Sequence, residues 1–274
     1  VLICAEYSYD DAKRYTYAAG YAYCDNQSTK NCGNAIKQLW EYGIEPVLYK
    51  TVDSLTSTIH STIFLDETWK EIIVAFSGTK GATQLINEIL ASYGVSYDLH
   101  DVSGAKVMSY FYSYYKDFNN WLKQSLIAIG KSDYVVVFTG HSLGGALAVH
   151  GAVDIFLSNI QDPSLFKVYT YGQPRVGNKK FEQVIRNGIQ NAYWLVHARD
   201  MVPHVPWCHE SGGVCNDDGW RFFYPYHTLT EVLYYKHTEE EKLMKICTEM
   251  ESNDCSNGFG TYNTDDHSVY VGTE

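Results

Sequence analysis

The segment YVVVFTGHSLGGALAVH, residues 134–150, constrains the fold of this chain more than any other. β-Branched and aromatic residues run unbroken from Tyr134 to Thr139, which suits a strand buried on both faces. From Leu143 the pattern changes: Leu143, Leu147, Val149, Val153 and Ile155 stand among alanines and glycines, which predicts a buried helix. The joint is Gly140-His141-Ser142-Leu143-Gly144, a G-x-S-x-G in a strand–turn–helix setting. There a serine hydroxyl must project from a strained, sharp turn, and its neighbours at minus two and plus two must lack side chains that would collide. Ser142 is therefore the candidate nucleophile. A Gly-rich phosphate loop is the competing reading, and no Lys-Ser/Thr pair follows to complete one.

The rest of the chain supplies further strands and helices around that joint. Asp10 to Tyr23 carries Tyr and Ala at helical spacing with Asp10 as cap, and Asn34 to Trp40 predicts a second short helix. Thr56 to Asp66 and Glu71 to Ser77 read as a hairpin about the tight turn Asp66-Glu67-Thr68-Trp69. Val102 to Gly130 reads as one long amphipathic helix, with Tyr110, Phe111, Tyr114, Phe118 and Trp121 as core packing. After Ser142 come a strand at Phe166 to Tyr171, a helix at Lys179 to Ile189 and a strand at Ala192 to Val196. The last part is rich in aromatics, Gly and Cys, with a strand at Thr230 to Tyr235 and a charged turn at Glu239 to Lys245. Strands alternating with helices predict an α/β fold with a mostly parallel sheet, the early hairpin adding antiparallel strands.

Composition narrows the class. The chain has 274 residues, 45 % of them hydrophobic and 19 % charged, which supplies a sizeable core. No repeat or low-complexity linker divides it, so residues 1–274 read as a single domain. The net charge of −11 makes nucleic acid and anionic membranes poor electrostatic partners. No apolar window of about eighteen residues exists to span a membrane. The N-terminus VLICAEYSYDD has neither the basic region nor the apolar run of a signal peptide, and is consistent with a mature end left after one was removed. Cysteines stand at 4, 24, 32, 208, 215, 247 and 255. Cys24–Cys32, Cys208–Cys215 and Cys247–Cys255 are short-spaced pairs in polar, Gly/Asn-rich surroundings, as in the loop staples of secreted proteins. Asn26-Gln27-Ser28 is a glycosylation sequon within the first of these loops. A zinc reading of His204, Cys208, His209 and Cys215 fits no standard finger spacing.

A serine hydroxyl is a weak nucleophile and needs a base, and that base needs a third group to hold its tautomer. In hydrolases built on a strand–Ser–helix joint the chain order is Ser, then Asp or Glu, then His. Asp200 is the best-placed acid, at the end of a strand, where active sites of parallel sheets are built. Asp162 and the pair Asp217-Asp218 sit in polar loops. Of the histidines beyond Asp200 (204, 209, 227, 237 and 267), His267 alone lies late enough to follow a final strand.

GHSLGG at 140–145, YGQPRVGN at 171–178, DMVPHVP at 200–206 and DDHSVY at 265–270 together resemble the class 3 lipases, the fungal-lipase-like group of the α/β-hydrolase fold. The resemblance covers nearly the whole chain and implies Ser142 as nucleophile, Asp200 as acid and His267 as base. It implies an oxyanion hole from the N–H groups of Leu143 and Thr79, with the Thr79 hydroxyl as a third donor. The family's strand-end Phe-Arg-Gly-Ser/Thr stands here as Phe76-Ser77-Gly78-Thr79, which removes the side-chain contact of the arginine. By the same matching, Lys80 to Leu90 is the lid, with Leu85, Ile86, Ile89 and Leu90 on one apolar face and Gly81 and Gly94 as hinges. His204 and His141 read as structural neighbours of the acid and the nucleophile. Cys24–Cys32 and Cys247–Cys255 resemble loop bridges of the family. Fungal members often tie the N-terminus to a cysteine beyond the catalytic histidine, so Cys4 is expected either to lack its partner here or to be free. The expected protein is a secreted triacylglycerol lipase acting at lipid–water interfaces on acylglycerol or related lipid esters, with no metal or cofactor. The alternatives are a phospholipase A1 or feruloyl esterase on the same fold, or an inactive lipid-binding homologue.

Overall fold

The structure, a computed structural model, describes residues 6–24, 32–53, 57–79, 81–99, 102–211, 214–216, 223–235, 243–247 and 249–271. Cys4, Asn26, Lys80, Asp217-Asp218, His237 and most of the Glu239–Lys245 turn lie outside the described residues. The strands are β1 Ile44–Asp53, β2 Thr58–Asp66, β3 Glu71–Phe76, β4 Ser96–Asp98, β5 Lys106–Met108, β6 Val135–His141, β7 Phe166–Tyr171, β8 Asn191–His197, β9 His209–Ser211, β10 Val214–Asn216, β11 Thr230–Tyr234 and β12 Met244–Ile246. The helices are α1 Tyr9–Tyr21, α2 Gly33–Glu41, α3 Ala82–Ala91, α4 Ser109–Ile129, α5 Leu143–Leu157 and α6 Lys179–Gly188.

Eight strands form one sheet in the order β1-β2-β3-β6-β7-β8-β11-β12. β3, β6, β7, β8 and β11 run parallel, while β1, β2 and β12 are antiparallel to their neighbours. Successive residues of a strand point to opposite faces, and here both faces are covered. Val74, Phe76, Val136, Phe138, Val168 and Trp194 pack with Phe111 and Phe118 of α4 and Leu147 of α5. Ile73, Ala75, Val137, Tyr169 and Leu195 pack on the other face with Tyr15 and Ala18 of α1 and Leu39 of α2. Double coverage explains why the central strands are apolar runs and not alternating ones. Because the central strands are parallel, their carboxyl ends meet along one rim, and Ser77–Thr79, Ser142, Gly172 and Asp200 are the residues just beyond them.

Two expectations need correction, and one strand was not expected. Residues 102–108 do not belong to the long helix: Gly104 has φ +80, Lys106–Met108 is extended and pairs with Ser96–Asp98, and α4 starts only at Ser109. The apolar residues Val102, Ala105, Val107 and Met108 fall on the helical stripe by accident of spacing. Ser8, not Asp10, caps α1, its side chain accepting from the Asp11 N–H. β1 was not among the expected strands; it carries Pro46 inside it, lies at the sheet edge and bulges between Pro46 and Leu48, where a missing N–H costs no ladder bond.

The α1 layer is fastened by charge as well as by apolar contact. Arg14, 3 % exposed, reaches Asp66 at 2.9 Å, Glu71 at 3.0 Å and Asp11 at 2.8 Å. Lys167 adds bonds of 2.8 Å to both Asp11 and Glu71. Removing one partner of such a buried group leaves an uncompensated charge. Arg14→Ala, which deprives the fully buried Asp66 of its cation, is expected to lose about 3–5 kcal/mol of stability, read as a lowered urea midpoint.

Candidate active site

Ser142 occupies the turn between β6 and α5 with φ 62 and ψ −129, a region that a side-chain-bearing residue adopts only under strain. The surrounding packing enforces it. A Cβ at Gly144 would collide with the Phe76 carbonyl, and one at Gly140 with the Gly144 backbone. The glycines therefore allow β3, β6 and α5 to approach closely enough to pin the turn. The Ser142 N–H also donates to the Tyr171 carbonyl at 2.8 Å.

His267 lies in the short turn Asp265–Ser268, 125 residues from Ser142 in sequence, and its Nε2 is 2.8 Å from Ser142 Oγ. Its Nδ1 is 2.8 Å from Asp200 Oδ2. A carboxylate can only accept, so Nδ1 carries the proton and Nε2 presents its lone pair to the serine hydroxyl. Asp200 is fully buried. Besides His267 it accepts from the Tyr270 hydroxyl at 2.5 Å and, through Oδ1, from the Val202 N–H at 2.9 Å. Burial and the adjacent Asp200 push the Tyr270 phenol well up, so it remains a donor. Gly172 completes the fit. It has φ +56, and a Cβ there would stand 2.8 Å from Asp200 Oδ2 and 2.9 Å from His267 Cε1.

His141 backs the imidazole of His267. Its Nδ1 is 2.8 Å from the Tyr23 hydroxyl and its Nε2 2.8 Å from the His267 carbonyl. The two imidazole rings lie 4.4 Å apart. Burial and the neighbouring His267 hold His141 well below the usual histidine range, so it stays neutral. The neutral ring donates from Nε2 and accepts the Tyr23 proton at Nδ1.

Leu143 is the first residue of α5, so its N–H has no acceptor one turn earlier in the helix. Thr79 follows β3, the strand paired with β6. Its Oγ1 is buried without a hydrogen-bond partner among the described residues, an arrangement that is costly unless a ligand uses it. Ser77, in the place of the family's arginine, accepts from the His60 N–H at 2.8 Å and ties β3 to β2.

α3 lies beyond Thr79, with extended Gly81 before it and Gly94 at φ +83 after it. Leu85, Ile86 and Ile89 are buried in the same apolar cluster as Leu143, Phe111 and Val205. Leu90 is 38 % exposed; one residue beyond Ile89 the helix has turned by about 100°, and this leucine sits on the margin of the apolar face. Glu88 accepts from Tyr110 of α4 and from Gln84. Ser142 and His267 are only 2 % and 4 % exposed, so an ester carbonyl reaches Oγ only if a covering element moves.

Residues 73–210 match the family model for lipase (class 3). The chain belongs to the class 3 lipase family. It is similar to a lipase of Rhizomucor miehei, 31 % identical over 232 residues, which cover 82 % of this chain and 58 % of that protein. It is likewise similar to a secreted mono- and diacylglycerol lipase of Malassezia globosa, 31 % identical over 169 residues covering 56 % of this chain and 55 % of that one. The chain thus spans little more than half the length of these relatives. The crystal structure of a lipase from Rhizopus microsporus var. chinensis matches over 96 % of this chain and 87 % of its own, with a TM-score of 0.74 at 29 % identity. The fold is the α/β-hydrolase fold, as expected.

The class 3 lipase motifs converge on one rim, and residues in them that were not singled out brace the site. Arg175 of YGQPRVGN is 2 % exposed. It holds Glu251 by two bonds, at 2.8 and 2.7 Å, and donates to the carbonyls of His204 and Pro206 in the loop after Asp200. His204 stacks on Tyr262 at 4.0 Å and bonds Asn257. Cys24–Cys32, Cys208–Cys215 and Cys247–Cys255 are disulfides, which occupies both sulfurs of the zinc reading and excludes it. Tyr23 carried no signal in the sequence, since its role depends on a contact across 118 residues.

Two buried carboxylates near the segment leading to His267 are tuned in opposite directions. Burial pushes Glu231 up to about 7, against the N–H bond it accepts from Ser256. Burial also opposes ionisation of Glu251, but Arg175 outweighs it and holds that carboxylate below its usual range. For Glu231 the folded pKa exceeds the unfolded one, so its contribution to stability is full below about 4.5 and is lost as pH rises to about 7. For Glu251 the sign reverses, and stability is lost as pH falls below the ordinary glutamate range. Glu231→Gln is expected to remove the decline in stability between about pH 4.5 and 7 that the parent shows, measured by urea unfolding across that range.

Proposed function

We propose that this chain is a carboxylic-ester hydrolase of acylglycerols that works at lipid–water interfaces. The observation that carries the reading is the hydrogen-bonded series Ser142–His267–Asp200, each link 2.8 Å long, built on a strained serine turn. His267 takes the Ser142 proton as Oγ attacks the ester carbonyl, and Asp200 stabilises the imidazolium that forms. The oxyanion is received by the N–H groups of Leu143 and Thr79, and the Thr79 hydroxyl, which has no partner among the described residues, supplies the third donor. His267 then returns its proton to the leaving alcohol. Water, deprotonated by the same imidazole, attacks the acyl-enzyme and releases the fatty acid, restoring Ser142.

α3 is the lid in its closed position. Opening it in water exposes Leu85, Ile86 and Ile89 at about 1.5–3 kcal/mol each, and a lipid surface removes that cost. The Malassezia relative is a mono- and diacylglycerol lipase, which favours acylglycerols over other esters. Three disulfides and the secreted relative support an extracellular enzyme, with Asn26 as a glycan site and residues 1–274 as one domain. No described helix is long and apolar enough to cross a membrane.

The test is hydrolysis rate against glyceride concentration through the solubility limit. A jump once droplets form is expected, with none in Ser142→Ala, and Asp200→Asn is expected to lower turnover by about 10⁴. Smooth saturation without a jump would assign the chain to soluble esters, and no turnover at any concentration would defeat the hydrolase reading.

A further inference from the structure

Tyr23 lies just past the end of α1. Its N–H is held by the Gly20 carbonyl at 3.2 Å, and Cys24 beside it is bridged to Cys32. Its hydroxyl is thereby delivered to a fixed point between the end of β3 and the turn that carries His267. On one side is Gly78, the residue before Thr79, where a Cβ would collide with Tyr23 Oη. On the other is His141, whose Nδ1 is 2.8 Å from the same oxygen and whose Nε2 is 2.8 Å from the His267 carbonyl.

Proton positions follow from these contacts. The His267 carbonyl can only accept, so the single ring proton of the neutral His141 is on Nε2 and its Nδ1 must accept. Burial pushes the Tyr23 phenol up, so the phenol keeps its proton and donates it to Nδ1. Packing does not confine the ring by itself. A cavity of about 160 Å³ lies beside Tyr23, His141, Gly20 and Tyr270, so on that side hydrogen bonds must hold the imidazole.

We propose that Tyr23 is a positioning residue for the base: its hydroxyl fixes the tautomer of His141, and so the bond by which His141 holds the His267 backbone. The inference rests on the reading of His267 as base. Without the hydroxyl, Nδ1 of His141 faces the cavity, where water can either donate or accept. The ring can then carry its proton on Nδ1, and the Nε2 lone pair is turned on the His267 carbonyl, acceptor against acceptor. The turn Asp265–Ser268 loses its tether, and His267 Nε2 its aim at Ser142 Oγ. Misaiming a base slows the chemical step without weakening the grip on the ester.

Kinetics and spectroscopy test this together. Tyr23→Phe is expected to lower kcat for a dissolved short-chain ester about tenfold, the worth of one buried hydrogen bond, and to leave KM within twofold. In a His141→Gln background the same substitution is expected to cost less than twofold, because its effect passes through the His141 ring. Nitrogen-15 spectra of the imidazoles, assigned by the signals lost in His141→Gln, are expected to show His141 protonated on Nε2 in the parent. In Tyr23→Phe its two nitrogens are expected to move toward averaged values. A tenfold loss retained in the His141→Gln background, a change in KM alone, or unaltered His141 signals in Tyr23→Phe overturns the proposal. Should the parent chain hydrolyse no ester at all, the functional reading fails, while the nitrogen spectra still decide whether Tyr23 sets the His141 tautomer.

Discussion

A carboxylate removed from water is tolerable only when donors occupy its oxygens, and Asp200, fully buried, has three: His267, Tyr270 and the Val202 N–H. The rest of the rim depends on this arrangement. The acid fixes the tautomer of His267, the imidazole reaches Ser142, and Gly172 must lack a side chain because the three groups leave no room for one. Around them Arg175 and Glu251 pin the loop that carries the acid to the segment that leads to the base. The Asp200 and Asn263 backbones are joined by a bridge of their own.

Neutrality of the surrounding histidines belongs to the same design. His141, His204 and His227 are all held below the usual histidine range by burial. His227 stacks on Trp194 at 3.6 Å and bonds the Pro203 carbonyl, so like His204 it braces the acid loop as an uncharged ring. A second cation beside His267 would oppose formation of the imidazolium. The uncharged His141 ring supplies packing and a hydrogen bond to the His267 carbonyl without that penalty.

Ser142, Asp200 and His267 could be singled out from the chain because each is bound to a local pattern. Gly140 and Gly144 mark the turn, a strand ends just before Asp200, and His267 sits in a short polar run after the final strand. The members that brace them carried weaker marks. Gly172, Arg175 and Tyr270 lie inside recognisable motifs, but their tasks are contacts with residues 28 to 98 positions away. Tyr23 carries no mark at all. β1, with Pro46 inside it, was not among the expected strands, and the start of α4 was hidden by apolar residues that fit a helical period although Gly104 breaks it.

What the sequence determined by itself was everything set by local backbone chemistry and by apolar periodicity: the parallel α/β core, the strained serine turn, the chain order of Ser142, Asp200 and His267 and the short-range cysteine pairs. Tertiary structure alone decided which side chains complete one another across long stretches of chain. It buried Leu85, Ile86 and Ile89 while turning Leu90 outward, and left the Thr79 hydroxyl without a partner among the described residues. The physical reason is that spacing along the chain reports which face of a helix or strand a residue takes. It says nothing of what lies opposite that face, and burial, proton position and access to Ser142 all depend on the opposing surface.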